Sequence, residues 1–406
     1  MAVAVSAAVM IPVGAQADVT VYGRINNAIQ FSDPGGSADS TTDVSGIASR
    51  FGVKASSDLG NGLTAHGRYE FSTTTDKEGG GIDDTRIATV GISGGFGRVD
   101  VGNQWSSFYN TVGTDMDPSY WVGGISGSTP YRSSNTIKYS NSVGPLSLQA
   151  DLRLNGKAEG ADSAEGLRGD GGGIGLRVAV TDSFTLAAAY DTEDQSDEMM
   201  TTAAVYGTSF TINNDNAELL GLLVVDGNDD GSLDDDEDYI EGLTRVGTTG
   251  DYYCVTAADQ EKKRGKIAAM DGTAPDLGSD VCTVSAASTT KGAETDRIGI
   301  SAHMSMGQFW GKLGWTSKEV TQGGMSKDTD YTQLWLGTSL SDSTSAMVGY
   351  GKSETDGSTA EPDALTLGLY HNMGGGLRLW YEGKSSDADD GSDKATDHYV
   401  GIRYDF

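Results

Sequence analysis

One alternation of period two constrains this chain more than anything else in it, because along each stretch that shows it one of the two faces carries no charge. In "VTVYGRINNAIQF", Val19, Val21, Gly23, Ile25, Ile29 and Phe31 share one face, while Thr20, Tyr22, Arg24, Asn26 and Gln30 share the other. "SRFGVKASSDLGNGLTAHGRYEF" gives two such stretches around an Asp58-Leu59-Gly60-Asn61-Gly62 turn, with Phe51, Val53 and Ala55, then Leu63, Ala65, Tyr69 and Phe71, on the apolar side. The pattern recurs in "LSLQADLRLN", "IGLRVAVT", "RIGISAHMSM", "FWGKLGW", "LRLWYEGK" and the final "HYVGIRYDF". Successive side chains of a strand point to opposite faces, so each stretch reads as a β-strand with one greasy and one polar side. Across these stretches no Asp, Glu, Lys or Arg falls on the apolar face, although 21% of the chain is charged.

A soluble sandwich also alternates, with its apolar face packed on a second sheet. Three features favour a membrane barrel with the apolar face outward. The stretches run about 8 to 12 residues, close to the length a tilted strand needs to cross a bilayer. Tight connections at 58–62, 93–97, 142–145, 181–183, 306–308, 341–344 and 373–376 alternate with long polar ones. Tyr69, Phe71, Trp315, Tyr381, Tyr404 and Phe406 sit near strand ends on the apolar face, as an interfacial girdle requires. Seven tight turns imply sixteen antiparallel strands with both ends on one side of the membrane. Lipid offers no hydrogen bond to an open sheet edge, so the first and last strands must pair. A slip of one residue would aim Arg24, Lys54, Arg68 and Arg177 at lipid, costing about 2 to 4 kcal/mol each near the midplane, so the register is strongly specified.

Composition agrees with this class and excludes others. With 37% hydrophobic residues, a mean hydropathy of -0.34 and 58 Gly among 406 residues, the chain has no apolar run after its N-terminus long enough for a spanning helix. A net charge of -30 argues against nucleic acid as a partner. It suits a surface meeting salt water or divalent cations, or simply a solvated acidic exterior. Near the start, "AVAVSAAVMIPVGAQA" is a short apolar run ending in Ala15-Gln16-Ala17, so residues 1–17 are expected to be a signal peptide and 18–406 the barrel. No Lys or Arg precedes that run, and a buried core helix is the alternative. Cys254 and Cys282 are the two cysteines. In an exported chain one disulfide between them is expected, and two free buried thiols otherwise.

"DVTVYGRI" at the expected mature start, "SRFGVKASSDLGNGL" at 49–63, "TRIATVGISGGFGRVDVGNQ" at 85–104, "YRSSNTIKYSN" at 131–141 and the terminal aromatic together resemble the trimeric Gram-negative general porins. The resemblance covers most of the chain outside about 194–295. It implies a 16-stranded transmembrane barrel in the outer membrane, assembled as a homotrimer among outer-membrane lipid. It also implies that Phe406 is read by the barrel assembly machinery, and that ions and small hydrophilic solutes diffuse passively through a wet lumen. In the family a third loop folds inward. Its counterpart is the segment after Gln104, "WSSFYNTVGTDMDPSYWVGGISGSTP". By matched motifs the basic wall of the constriction is Arg24, Arg50, Arg86 and Arg132, and the loop carboxylates are Asp115 and Asp117. The family's usual loop motif, Pro-Glu-Phe-Gly-Gly, departs here to Pro118-Ser119-Tyr120-Trp121. Overall acidity favours cations at the mouths and the arginines favour anions at the narrowing; sequence alone does not rank the two.

The stretch 194–295 reads as a long extracellular insertion. Within "VVDGNDDGSLDDDED", Asp226, Asn228, Asp230, Gly231 and Glu237 match D-x-[DN]-x-[DN]-G-x5-E, with Ser232 and Asp234 at the seventh and ninth positions. Hard oxygens around a tight turn suit calcium. The alternatives at this loop are a bound Ca2+ and a solvated acidic surface, and no cofactor is required for the barrel itself. No catalytic constellation is evident: Gly351-Lys352-Ser353 and Gly383-Lys384-Ser385 lack the first glycine of a phosphate loop, and "GISGS" lacks nucleophile-elbow spacing. His66 and His303 fall on the polar face, where a solvated or hydrogen-bonded role is expected. The chain is therefore expected not to be an enzyme. The rival to a porin is a non-conducting surface barrel, or a soluble calcium-binding β-sandwich acting as an adhesin.

Overall fold

The computed structural model describes residues 17–77, 80–124, 130–154, 170–194 and 292–406, together with the backbone of short paired segments between 198 and 290. Two compact units emerge, one formed by Met1–Asp197 with Lys291–Phe406 and the other by Glu198–Thr290.

The first unit is a closed antiparallel barrel of sixteen strands. In order these are β1 Asp18–Asp33, β2 in two segments Thr41–Gly46 and Arg50–Gly60, β3 Leu63–Thr73, β4 Ile82–Gly94, β5 Gly97–Trp105, β6 Arg132–Val143, β7 Leu146–Arg153 and β8 Asp170–Thr181. The second half comprises β9 Phe184–Asp194, β10 Ala293–Met306, β11 Phe309–Gln322, β12 Met325–Ser339, β13 Thr344–Thr355, β14 Asp363–Gly374, β15 Leu377–Asp387 and β16 Ala395–Asp405. Each strand pairs with its chain neighbours, and β1 closes the ring on β16 in the register Arg24↔Asp405 through Asp33↔Thr396. All seven tight connections expected from the sequence join adjacent strands.

The outer face is the uncharged one. Val21, Ile25, Ile29, Leu176, Leu186, Ile300, Leu313, Leu336, Leu367 and Ile402 are exposed there, as lipid-facing residues must be. The charges between them point into the lumen, where many are nearly buried, among them Glu70, Asp191, Glu382 and Arg403. Toward the ends that carry the long connections the strands outrun this apolar band. There the same outward row becomes acidic at Asp296, Glu319 and Asp328, which oppose one another across β10, β11 and β12.

One irregularity matters for the lumen. Between the segments of β2 the chain carries one residue more than β1 opposite, since Asn27 pairs with Gly46 and Arg24 with Arg50. Asn26 holds this bulge: its carbonyl accepts the Ile47 N–H at 2.7 Å and its amide Nδ2 donates to the Ile47 carbonyl at 3.0 Å. Ala48 takes a positive φ of 49°, and its carbonyl accepts the Arg50 Nε–H at 3.2 Å. The bulge thus fixes the aim of one lumen arginine.

In the unit Glu198–Thr290, Glu198–Met200 pairs with Ser288–Thr290, Val224–Val225 with Tyr239–Ile240, and Thr244–Arg245 with Tyr253–Cys254.

Candidate functional site: the inward loop and the lumen wall

Between β5 and β6 the chain leaves the wall and crosses the lumen. Its first part, through a π-helical turn at Tyr109–Gly113 and a short turn at Thr114–Met116, lies against β8 to β12. Phe108, Val112 and Met116 are buried there beside Ala187, Ala189 and Tyr331. Room is made by glycines in the lumen row. A Cβ on Gly299 would stand 2.8 Å from Phe108 Cζ, one on Gly314 2.5 Å from Met116 Cγ, and one on Gly175 would collide with the Thr111 side chain. Asp115 is buried in the same contact and is held by Arg177 at 2.6 Å, the Ser301 hydroxyl at 2.8 Å and Lys312 at 3.4 Å.

The second part of the loop is clasped by one carboxylate. Glu382, fully buried on β15, accepts the backbone N–H of Tyr120, of Trp121 at 2.9 Å and of Val122 at 3.0 Å, and the Tyr370 hydroxyl at 2.6 Å. Lys384 donates to the Gly124 carbonyl at 3.0 Å, Thr366 to that of Gly123 at 2.8 Å, and the Trp335 indole to that of Met116 at 3.1 Å. Charge-assisted bonds to consecutive amides fix backbone position tightly.

Round the remaining wall, from β15 through β16 and β1 to β4, the lumen row carries six arginines in two groups. Asp405 takes Arg24 at 2.9 Å, Arg403 at 2.9 Å and Arg378 at 4.0 Å. Glu70 takes Arg68 at 2.6 Å, Arg86 at 2.9 Å and Arg50 at 3.8 Å. Tyr120 reaches from the loop into the first group, with its hydroxyl 3.2 Å from Arg378 Nη1 and its ring 4.5 Å under Arg403. The barrel is closed, its inward loop is clasped to the wall, and a cationic arc stands beside that loop.

The family model for Gram-negative porins matches residues 2–269. The chain belongs to the Gram-negative porin family. Among curated proteins it is similar to outer membrane protein S2 of Salmonella typhi, 27% identical over 211 residues that make up 44% of this chain and 52% of that protein. It is also similar to the outer membrane porin PhoE of Klebsiella pneumoniae, 30% identical over 46% of this chain and 55% of that protein. The chain thus spans about half the length of these relatives. Among solved structures, an anion-selective porin from Comamonas acidovorans superposes with a TM-score of 0.61 at 15% identity, covering 96% of this chain and 100% of that one. OmpT of Vibrio cholerae lacking loop L8 does so with a TM-score of 0.63 at 15% identity, covering 96% and 99%. Family and fold together put this porin in the outer membrane.

Of the residues marked in the sequence, the structure brings Arg24, Arg50 and Arg86 together on one wall. Arg132 begins β6 beside the base of the loop, its guanidinium 5.0 Å from the Trp105 ring. The two loop carboxylates part company. Asp115 turns to the near wall as described, whereas Asp117 is half-buried and accepts the Tyr109 hydroxyl at 3.2 Å. Burial pushes the Asp117 carboxyl above the usual aspartate range, against the Tyr109 bond, which acts the other way. Ser119, where the family motif has Glu, accepts the Gly123 N–H at 2.7 Å. His66 bonds Asp100 at 2.9 Å. The candidate calcium ligands Asp226, Asn228, Asp230, Ser232, Asp234 and Glu237 lie outside the described residues, as do Cys282, the Cys254 side chain and residues 1–16 of the expected signal peptide.

Sequence reading gave no site role to Glu382, Glu70, Asp405, Arg68, Arg378, Arg403 or the three glycines. A signal existed for them: all lie in the lumen row of their strands. An acid there among basic neighbours, or a glycine where the row is otherwise polar, marks a place where something packs from inside.

Proposed function

We propose that this porin is a passive channel for ions and small hydrophilic solutes, working as a homotrimer, and that its constriction prefers anions. The observation that carries the preference is the imbalance on the lumen wall at the loop, where six arginines meet three carboxylates, Asp405 and Glu70 already engaged with them and Glu382 with the loop amides. On the loop side Asp115 is neutralised by Arg177 and Lys312, Ser119 brings no charge, and Asp117 is half-buried against the Tyr109 hydroxyl. Low-dielectric walls focus the field of the uncompensated arginines into the narrowing, so the local field outweighs the chain's net charge of -30. Much of that acidity belongs to the second unit: residues 198–290 alone hold 18 Asp and Glu against five Lys and Arg. A trimer form of the structurally similar Vibrio cholerae OmpT supports the assembly.

Reversal potential across a potassium chloride gradient in a planar bilayer tests the reading. Steps in three linked levels with a reversal on the chloride side are expected. A silent membrane would remove the channel, and a reversal on the potassium side would remove the anion preference.

A further inference from the structure

We infer that the lipid-facing side of β9, β10 and β11 holds one phospholipid of a selected kind, with an acyl chain in a trough of the wall and a headgroup bearing a primary amine against an acidic row above. The inference needs a barrel in a bilayer and does not depend on conduction.

The trough comes from the register. Two outward rows cross these strands side by side. In one, Ala188 stands between Leu176 and Ile300; in the other, Ala302 stands between Leu186 and Leu313. Each small side chain is flanked by long ones, and the two alanines are diagonal neighbours, so their gaps join. The result is a depression of about 460 Å³ bordered by Trp315. Water finds no polar partners at such a surface, and unfilled space forfeits contacts, so hydrocarbon occupies it.

The floor of the trough also has a lumen side. Ser301, between Ile300 and Ala302, donates to Asp115 at 2.8 Å, and Gly314, between Leu313 and Trp315, leaves room for Met116. A chain in the trough therefore lies directly behind the anchor of the inward loop.

Above the trough the same strands turn acidic. Asp296, Glu319 and Asp328 oppose one another, Asp330 adds a fourth carboxylate on β12, and no Lys or Arg stands in the outward row of β10, β11 or β12. Like charges facing each other across strands are destabilising unless something neutralises them. Asp296 is four residues above Ile300 and six above Ala302 in β10, about 13 and 20 Å along a strand. With strands tilted about 40°, those depths become about 10 and 15 Å, within half the thickness of the hydrocarbon core. A lipid whose headgroup meets the acids thus lays its chain along the trough.

Charge selects that headgroup. Phosphatidylglycerol would bring net negative charge to the carboxylates, and the quaternary ammonium of phosphatidylcholine has no N–H to donate. The primary ammonium of phosphatidylethanolamine pairs with carboxylates through charge-assisted hydrogen bonds.

The test reconstitutes the folded barrel in phosphatidylcholine vesicles carrying the same small fraction of one lipid with brominated chains, either phosphatidylethanolamine, phosphatidylglycerol or phosphatidylcholine. Bromine quenches nearby tryptophan, and the difference between wild type and Trp315→Phe isolates the signal at the trough. Brominated phosphatidylethanolamine is expected to quench that signal about three to five times as effectively as the phosphatidylglycerol analogue, the size that exposed ion pairs allow. D296N/E319Q/D328N should level the two lipids. Ala302→Leu, which fills the trough and stays apolar toward lipid, should return phosphatidylethanolamine to the level of phosphatidylcholine. Heat-dependent gel mobility confirms that each variant is a closed barrel. Equal quenching by the three lipids in wild type, or undiminished selectivity in Ala302→Leu, overturns the inference. So does a preference for phosphatidylglycerol on addition of magnesium, which would assign the acidic row to a phosphate lipid bridged by a metal ion. A barrel that conducts nothing would remove the channel reading and leave this result standing.

Discussion

Beneath the inward loop, β8, β10 and β11 turn Gly175, Gly299 and Gly314 to the lumen, and the loop's Phe108, Val112 and Met116 press into the space. Farther round, from β15 to β4, the same inward row of the same alternating strands carries six arginines on two carboxylates. Lipid constrains only the outward row, so the inward one is free to differ from wall to wall. One wall uses that freedom to receive backbone, the other to accumulate charge. The difference teaches that the residues that seat the loop and the residues that carry the charge are separate, and it can be attacked from either side.

The largest effect is expected at the clasp. Glu382→Ala removes the acceptor of three consecutive amides and of Tyr370. Losing such bonds to a charged group should loosen the loop by at least about 3 kcal/mol, seen as flickering conductance and a lower voltage threshold for closure. A steady wild-type trace would mean the glycine wall holds the loop alone. Next comes that wall. Gly299→Leu pushes a side chain at Phe108 and Val112, with overpacking of about 1 to 3 kcal/mol, and should lift the loop and raise single-channel conductance without moving the reversal potential. If conductance is unchanged and the reversal potential shifts, bore and selectivity are not separable.

A gentler probe sharpens the charge side. Ser119→Glu places a carboxylate on the loop next to Tyr120, which contacts Arg378 and Arg403, and should move the reversal potential toward potassium. Its thermal stability should stay within about 0.5 kcal/mol of wild type; no movement would mean the loop face is not seen by passing ions. The smallest effect concerns Asp117. Because burial raises its pKa, the carboxyl takes up its proton at a higher pH than an ordinary aspartate, so its negative charge is present above that range and lost as pH falls through it. Anion preference should therefore rise on acidification, beginning at a higher pH than an ordinary aspartate would give, and Asp117→Asn should abolish that rise.

The barrel was legible because its cause is local. A charge-free outward row and seven tight turns follow from period-two patterning and turn chemistry, and the strands from β1 to β16 fall where those signals put them. What alternation supplies is a face, not a partner. Glu382 and the Tyr120 amide are 262 residues apart in sequence and meet only because the barrel closes and the loop crosses it. For the same reason the pattern could mark Asp115 and Asp117 as loop carboxylates but not that Asp115 would turn to Arg177 on the near wall. Arg24, Arg50 and Arg86 were found through their motifs, yet their tethering through Nε depends on a bulge at Ala48 and on acids in other strands, which no stretch of sequence displays by itself.

What Glu382 grips is the peptide N–H, and that is common to every residue type except proline. Residues 120–122 can therefore be exchanged for others while the rim they form keeps its station. A lineage, or a designer, can retune what passes through the eyelet by small steps, each tried on an unmoved frame.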